Sequence, residues 1–186
     1  NVDWIKEDNI TVNVFADVFS SLSRYFNGVA NEVTGGDVPL SSEAMKKLRD
    51  NLNYFAGEIN KTTKDDLENL IKSSLENGGD FADLTKKIED LFQGYASAGS
   101  RADTIARTET NGIKNMVSRD NYARNQFVTS FEWLSARDSY VRDEHGLKGA
   151  DGQIVPKGVK FLVGGERLEY PGDRNGSAWN TINCRC

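Results

Sequence analysis

The chain reads as an α+β protein: an N-terminal helical region of about four helices, then a long helix and a small Gly-rich, β-containing C-terminal unit. Three observations predict this. Apolar residues recur at helical spacing through the first two thirds of the sequence. After residue 125 that spacing gives way to short stretches rich in β-branched and aromatic residues. Eight glycines then fall within residues 146–176, a density that suits turns rather than helices.

The first helix is expected over Val12–Val33, with Phe15, Val18, Phe19, Leu22, Tyr25, Phe26, Val29 and Val33 forming a wide apolar stripe. Gly35-Gly36-Asp37-Val38-Pro39 ends it as a linker. A second helix starts near Ser42, with Ala44, Leu48, Leu52, Phe55 and Ile59 on one face. Lys61-Thr62-Thr63-Lys64 breaks that pattern, and Thr63 with Asp66 opens a third helix carrying Leu67, Leu70, Ile71 and Leu75. Asn77-Gly78-Gly79 stops it. Asp80 caps a short fourth helix with Leu84, Ile88, Leu91 and Phe92, and the small residues Gly94–Ser100 mark a boundary. The expected division is a helical region over 1–95 and a second unit over 100–186.

The long helix is expected over Arg101–Asn125. Ile105, Ala106, Ile113, Met116 and Val117 define its apolar arc, and Glu109 falls inside that arc. A half-buried carboxylate needs a cation or a backbone donor, and Arg142 or Arg185 is the expected partner. Val128–Leu134 reads as a strand, Asp138–Leu147 as a short helix and Val159–Val163 as a second strand. Gly164-Gly165 makes a hairpin turn. Leu168-Glu169-Tyr170 reads as a strand ended by Pro171-Gly172-Asp173, and Thr181–Cys186 as a last strand.

Composition narrows the function classes. Of 186 residues 38% are hydrophobic and 27% charged, which is globular and not disordered. No apolar run is long enough to span a bilayer, so no membrane partner is expected. The net charge of −5 disfavours a protein held on nucleic acid by bulk charge. The charge is uneven: residues 1–100 carry 10 Lys+Arg against 17 Asp+Glu, and residues 101–186 carry 13 against 11. Phosphate contacts are therefore assigned to the second half, to Arg107, Arg119 and Arg124 of the long helix, against the default of a solvated helix face.

The polar residues able to carry chemistry gather in the last third. His145 is the single histidine, and both cysteines stand in Cys184-Arg185-Cys186. Two readings of this set are open. His145, Cys184 and Cys186 are soft or borderline ligands that suit zinc, with Asp138 or water as a fourth. Alternatively, both thiols stay reduced and pack locally. Asp138, Arg142 and His145 also follow a D-x-x-x-R-x-x-H pattern that would share one helix face and serve acid–base attack on a phosphodiester. The competing reading is an Asp–Arg pair that ties down a short helix.

An ordered set of segments is more specific than any of these alone: Ile105-Ala106-Arg107-Thr108-Glu109-Thr110, Glu132-Trp133-Leu134-Ser135-Ala136 with Asp138, Val141-Arg142-Asp143-Glu144-His145, Leu147-Lys148-Gly149, Tyr170-Pro171-Gly172-Asp173, and Ile182-Asn183-Cys184-Arg185-Cys186. Over about residues 100–186 the chain resembles the phage Mu F-like family, the minor head or head-morphogenesis proteins of tailed phages. The resemblance implies a low-copy protein of the virion, inside the phage head. It would assemble in the host cytoplasm and associate with the portal protein or other head proteins and with packaged DNA, weakly and without sequence preference. The signature positions that it carries over are Arg107, Thr108, Glu109, Trp133, Asp138, Arg142, His145, Gly149, Pro171, Gly172, Asp173, Asn183, Cys184, Arg185 and Cys186. Two loop positions depart from the family pattern: Lys148, where an acid is usual, and Arg174, where a proline is usual. The rival function is enzymatic, a metal- or His-dependent nuclease or toxin-associated domain acting on nucleic acid. A structural role is preferred, because the chain offers no second histidine and no acidic metal pair.

Overall fold

The computed structural model describes residues 4–76, 86–87, 89–91, 93–94 and 101–186. In chain order it holds α1 (Trp4–Thr34), α2 (Ser42–Glu76), α3 (Arg101–Arg124), β1 (Ser130–Glu132), β2 (Ile154–Pro156), β3 (Phe161–Val163), β4 (Glu166–Leu168) and α4 (Ala178–Thr181). The α+β class is as expected. The Asn77–Gly79 stop, the Asp80 cap, Leu84, Ile88, Phe92 and most of the Gly94–Ser100 boundary lie outside the described residues. So do the side chains of Phe15, Val18, Phe55, Ile59, Leu67, Ile71 and Leu75.

α1 starts earlier than expected and ends where the glycines require. Gly35 takes φ +66°, and the Gly36 N–H reaches back to the Asn31 carbonyl at 3.1 Å, a left-handed helix stop. The linker is then tied down by amides. The Asn31 and Asn27 side chains donate to the Val38 carbonyl, and the Val38 N–H donates to Asn31 Oδ1. Asn121 of α3, fully buried, donates to the Oδ1 atoms of Asn27 and Asn31. Ser41 caps α2 by accepting the Ala44 N–H, and its own hydroxyl and N–H bind the Asp120 carboxylate of α3.

The break expected at Lys61–Lys64 is absent, and α2 runs through it as one helix of 35 residues. The stretch holds no Gly or Pro. The Thr62 hydroxyl turns back onto the Glu58 carbonyl at 2.8 Å, so its competing hydrogen bond is absorbed within the helix.

Two cores result. In the first, Phe19 of α1 and Leu48 and Leu52 of α2 pack on Ile113, Met116 and Val117 of α3, with Tyr170 entering from the C-terminal unit. In the second, Trp133, Ala150, Val155, Phe161, Val163, Leu168 and Cys184 surround one another. Its strands are only three residues each. β1 pairs antiparallel with β2 (Phe131 opposite Val155), and β3 with β4 (Leu162 opposite Arg167). Gly164 and Gly165, φ +54° and +80°, form the tight turn expected between β3 and β4. α3 and the turn after Tyr170 meet closely: a Cβ on Gly172 would lie 3.0 Å from the Gly112 Cα.

Two expected elements are corrected. Asp138–Leu147 is a run of turns, not a helix. The Asp138 carboxylate captures the Tyr140 N–H at 3.0 Å, and successive i to i+3 bonds (Asp138 to Val141, Arg142 to His145) replace the helical ladder. Thr181–Cys186 is not a strand. Its first residue closes α4, Asn183 takes φ +54°, and its backbone is held by side chains instead of a partner strand.

Candidate metal centre

α3 sets the position of the tail. Thr108, Asn111 and Asn115 recur every three to four residues and so share a helix face. The Thr108 hydroxyl accepts the Asn183 N–H, Asn111 Nδ2 donates to the Cys184 carbonyl, and Asn115 Nδ2 donates to the Cys186 carbonyl. From the other side the Ala136 N–H binds the Arg185 carbonyl at 2.7 Å, and the Arg142 guanidinium binds the Ile182 carbonyl. The Arg185 side chain grips Asp138 through Nε and Nη2.

This clamp brings His145, Cys184 and Cys186 together, as the first of the two open readings requires. His145 is 1% exposed, and its Nδ1 lies 3.5 Å from each sulfur. The three candidate ligand atoms fall within 4.8 Å of one another. The Trp133 ring stands edge-on to the imidazole at 5.6 Å. Its indole N–H is buried without a hydrogen-bond partner among the described residues. His145 Nε2 faces Asn180 Oδ1 at 3.1 Å. Asn180 in turn donates to Glu166 Oε2 at 2.8 Å and to the Val163 carbonyl at 3.3 Å. Asn180 and Glu166 were not singled out from sequence, because no spacing rule links them to His145 or the cysteines.

The electrostatics of the cluster are those of a shared proton. The Cys186 side chain, and then His145, draw Cys184 well below the usual thiol range. Cys186 is pushed up, first by the Cys184 sulfur beside it and then by burial, because a second adjacent anion is resisted. Burial alone would lower His145, but contact with Cys184 outweighs it and raises the imidazole. A divalent cation would let both sulfurs ionise.

The other expected site residues are placed differently from one another. Glu109 pairs with Arg174, not with Arg142 or Arg185. Burial raises Glu109 above the usual carboxylate range, and Arg174 opposes that rise. The pair borders a cavity of about 350 Å³ whose lining includes Tyr54, Ile105 and Ile182. Asp138, bound by Arg185, is held below its ordinary value first by that hydrogen bond. It does not join His145 and Arg142 on one face, because no helix forms there. Arg119 stacks over the Phe131 ring at 3.6 Å and donates to the Val159 carbonyl, and Arg124 pairs with Asp120 at 2.8 Å. Arg107 is exposed on the outer side of α3 near Lys114.

Residues 65–186 match the family described as phage Mu protein F like protein. The chain belongs to the phage Mu protein F like family. Membership bears out the resemblance read from the sequence. The match starts within α2, so it includes helix that the resemblance had left out. This Mu F like chain is also similar to the uncharacterized protein YqbB of Bacillus subtilis (strain 168), at 22% identity over 149 residues, covering 79% of the chain. The chain spans about half the length of that curated relative, of which 48% is covered. No solved structure matches it. No helix among the described residues is long and apolar enough to cross a membrane.

Proposed function

We propose that this chain acts as a structural head protein, binding the portal or other head proteins and touching packaged DNA weakly, without turnover. The observation that carries this reading is how the reactive groups are used. His145 is 1% exposed, with one ring nitrogen on two sulfurs and the other on Asn180, so it does not reach a backbone phosphate. Glu109 and Asp138 are each committed to an arginine. What the surface offers instead is contact. Tyr25, Val29 and Val33 form an exposed apolar stripe along α1, four residues apart. Arg107 and Lys114 supply exposed positive charge on α3, and Arg124 is exposed beside Asp120.

The test is binding to linear double-stranded DNA across a salt series. The expected outcome is intact DNA and weak binding that falls with salt. Arg107→Ala with Lys114→Ala should flatten the salt slope by about 2, roughly one per phosphate contact. Salt-independent binding would remove DNA as a partner. Cleavage lost in His145→Ala with the fold intact would overturn the reading in favour of a nuclease. Co-sedimentation with the portal ring of the same phage tests the protein partner, and a chain left in the supernatant counts against it.

A further inference from the structure

We infer that His145 Nδ1, Cys184 Sγ and Cys186 Sγ are three ligands of one zinc ion that locks the C-terminal segment onto the β unit, and that Glu166 and Asn180 position the histidine for it. This goes beyond the head-protein reading and does not depend on it.

The first support is distance. Zinc bonds of about 2.3 Å to sulfur and about 2.05 Å to nitrogen, at tetrahedral angles, place the two atoms about 3.6 Å apart. Both Sγ to Nδ1 distances are 3.5 Å. The set therefore has the edge lengths of a tetrahedral site about its nitrogen.

The second support is the tautomer. A metal-binding histidine needs its other nitrogen held by an acceptor. Here that acceptor is assigned by a chain of hydrogen bonds. The Glu166 carboxylate only accepts, and its Oε2 takes both Asn180 Nδ2 and the Ser177 N–H. The Val163 carbonyl takes Asn180 Nδ2 as well. The Asn180 amide is thereby turned so that Oδ1 faces His145 Nε2, which must donate. Nδ1 is left to present its lone pair toward the two sulfurs. The hairpin turn makes room for this: a Cβ on Gly164 would lie 2.8 Å from Asn180 Oδ1.

The third support is the clamp. Alternate residues of an extended segment normally project to one side, and the anchoring of Asn183, Cys184 and Cys186 by α3 fixes that side toward His145. The Trp133 N–H is buried without a partner in the core against which Cys186 packs, a donor open to a metal-bound thiolate. Among the described residues no further His, Cys, Asp or Glu joins the group, and Asp138 is held by Arg185. The fourth position therefore falls to water.

The experiment titrates the reduced full chain with cobalt(II) and then displaces it with zinc. The expected result is one cobalt per chain, with tetrahedral d–d absorption and thiolate charge transfer, and a melting temperature that rises with added zinc. Cys186→Ser should abolish the charge transfer from one thiolate. Because ligand variants can fail to fold, Asn180→Ala is the second arm: it should retain the helical circular-dichroism signal and weaken metal affinity about 10–100-fold. Glu166→Gln should weaken it less. Absence of cobalt bands with two free thiols would overturn the inference, as would a Cys184–Cys186 disulfide with no metal uptake. Unchanged affinity in Asn180→Ala would overturn the positioning role.

Discussion

The two cores of this protein are built by different physics. Around α1, α2 and α3 most of the work is done by apolar side chains at helical spacing, Phe19, Leu48, Leu52, Ile113, Met116 and Val117, with Asn121 and Asp120 adding hydrogen bonds at one end. Around Trp133 the strands are three residues long and too short to stand as sheets. That unit is assembled from side-chain-to-backbone bonds that cross long stretches of sequence, such as Thr108 to Asn183 and Asn115 to Cys186. The difference teaches where each region is vulnerable. The helical core answers to volume, and the β unit answers to single anchors.

The sharpest way to break the comparison is to empty each core in turn. Trp133 is fully buried, with Phe161 and His145 edge-on at 5.3 and 5.6 Å. Trp133→Ala should cost about 3–5 kcal/mol, and Leu48→Ala about 2–5 kcal/mol. Tyr170 and the Gly112–Gly172 contact join the two regions, so both variants should shift a single urea transition. A Trp133→Ala protein that loses its near-ultraviolet signal in an early, separate step would show that the cores are independent.

Backbone crowding gives the next largest effect, and among the described glycines it falls in the β unit. A Cβ on Gly149 would lie 2.2 Å from the Glu144 carbonyl oxygen, which is backbone and cannot swing away. Gly149→Ala should therefore destabilise by about 1–3 kcal/mol, as overpacking does. Gly57, within α2, has open space at the same position, and alanine there should stabilise by up to about 1 kcal/mol. Equal effects at the two glycines, read by urea unfolding, would erase the distinction between the regions.

This contrast also explains what the sequence revealed. Periodicity disclosed α3, the stop of α1 at Gly35 and most of the first core, because helical packing is written locally. It misplaced a break in α2, where two threonines suggested a cap but nothing forbade the helix. In the β unit the residues of the site were legible and their partners were not. Glu109 was expected to need an arginine, yet Arg174 supplies it from a turn 65 positions away. Asn180 and Glu166 escaped because what defines their role is a hydrogen bond to a histidine far off in sequence, which leaves no local pattern.

The smallest expected effect concerns that Glu109 pair, and its sign distinguishes it from the Asp138 pair. Asp138 and Arg185 are each about one-third exposed, whereas the Glu109 side chain is 11% exposed. The folded protein holds Asp138 below its ordinary value, so that pair's contribution is lost as pH falls. Glu109 is raised above 4.5 by burial, so the folded state binds its proton more tightly than the unfolded chain. Its contribution is greatest below the unfolded value and declines as pH rises through the folded one. Arg174 limits that decline. Arg174→Met keeps the stem and removes the charge, so Glu109 should climb further and the decline deepen. The gap between the variant and the parent should be near zero at about pH 4 and about 1 kcal/mol at about pH 7. Asp138 is common to both proteins and cancels. Urea melts at the two pH values read the difference, and adding Glu109→Gln to the variant should flatten it. A gap that does not change with pH would make Glu109–Arg174 a packing contact, and would leave Asp138–Arg185 as the titrating tie of the pair.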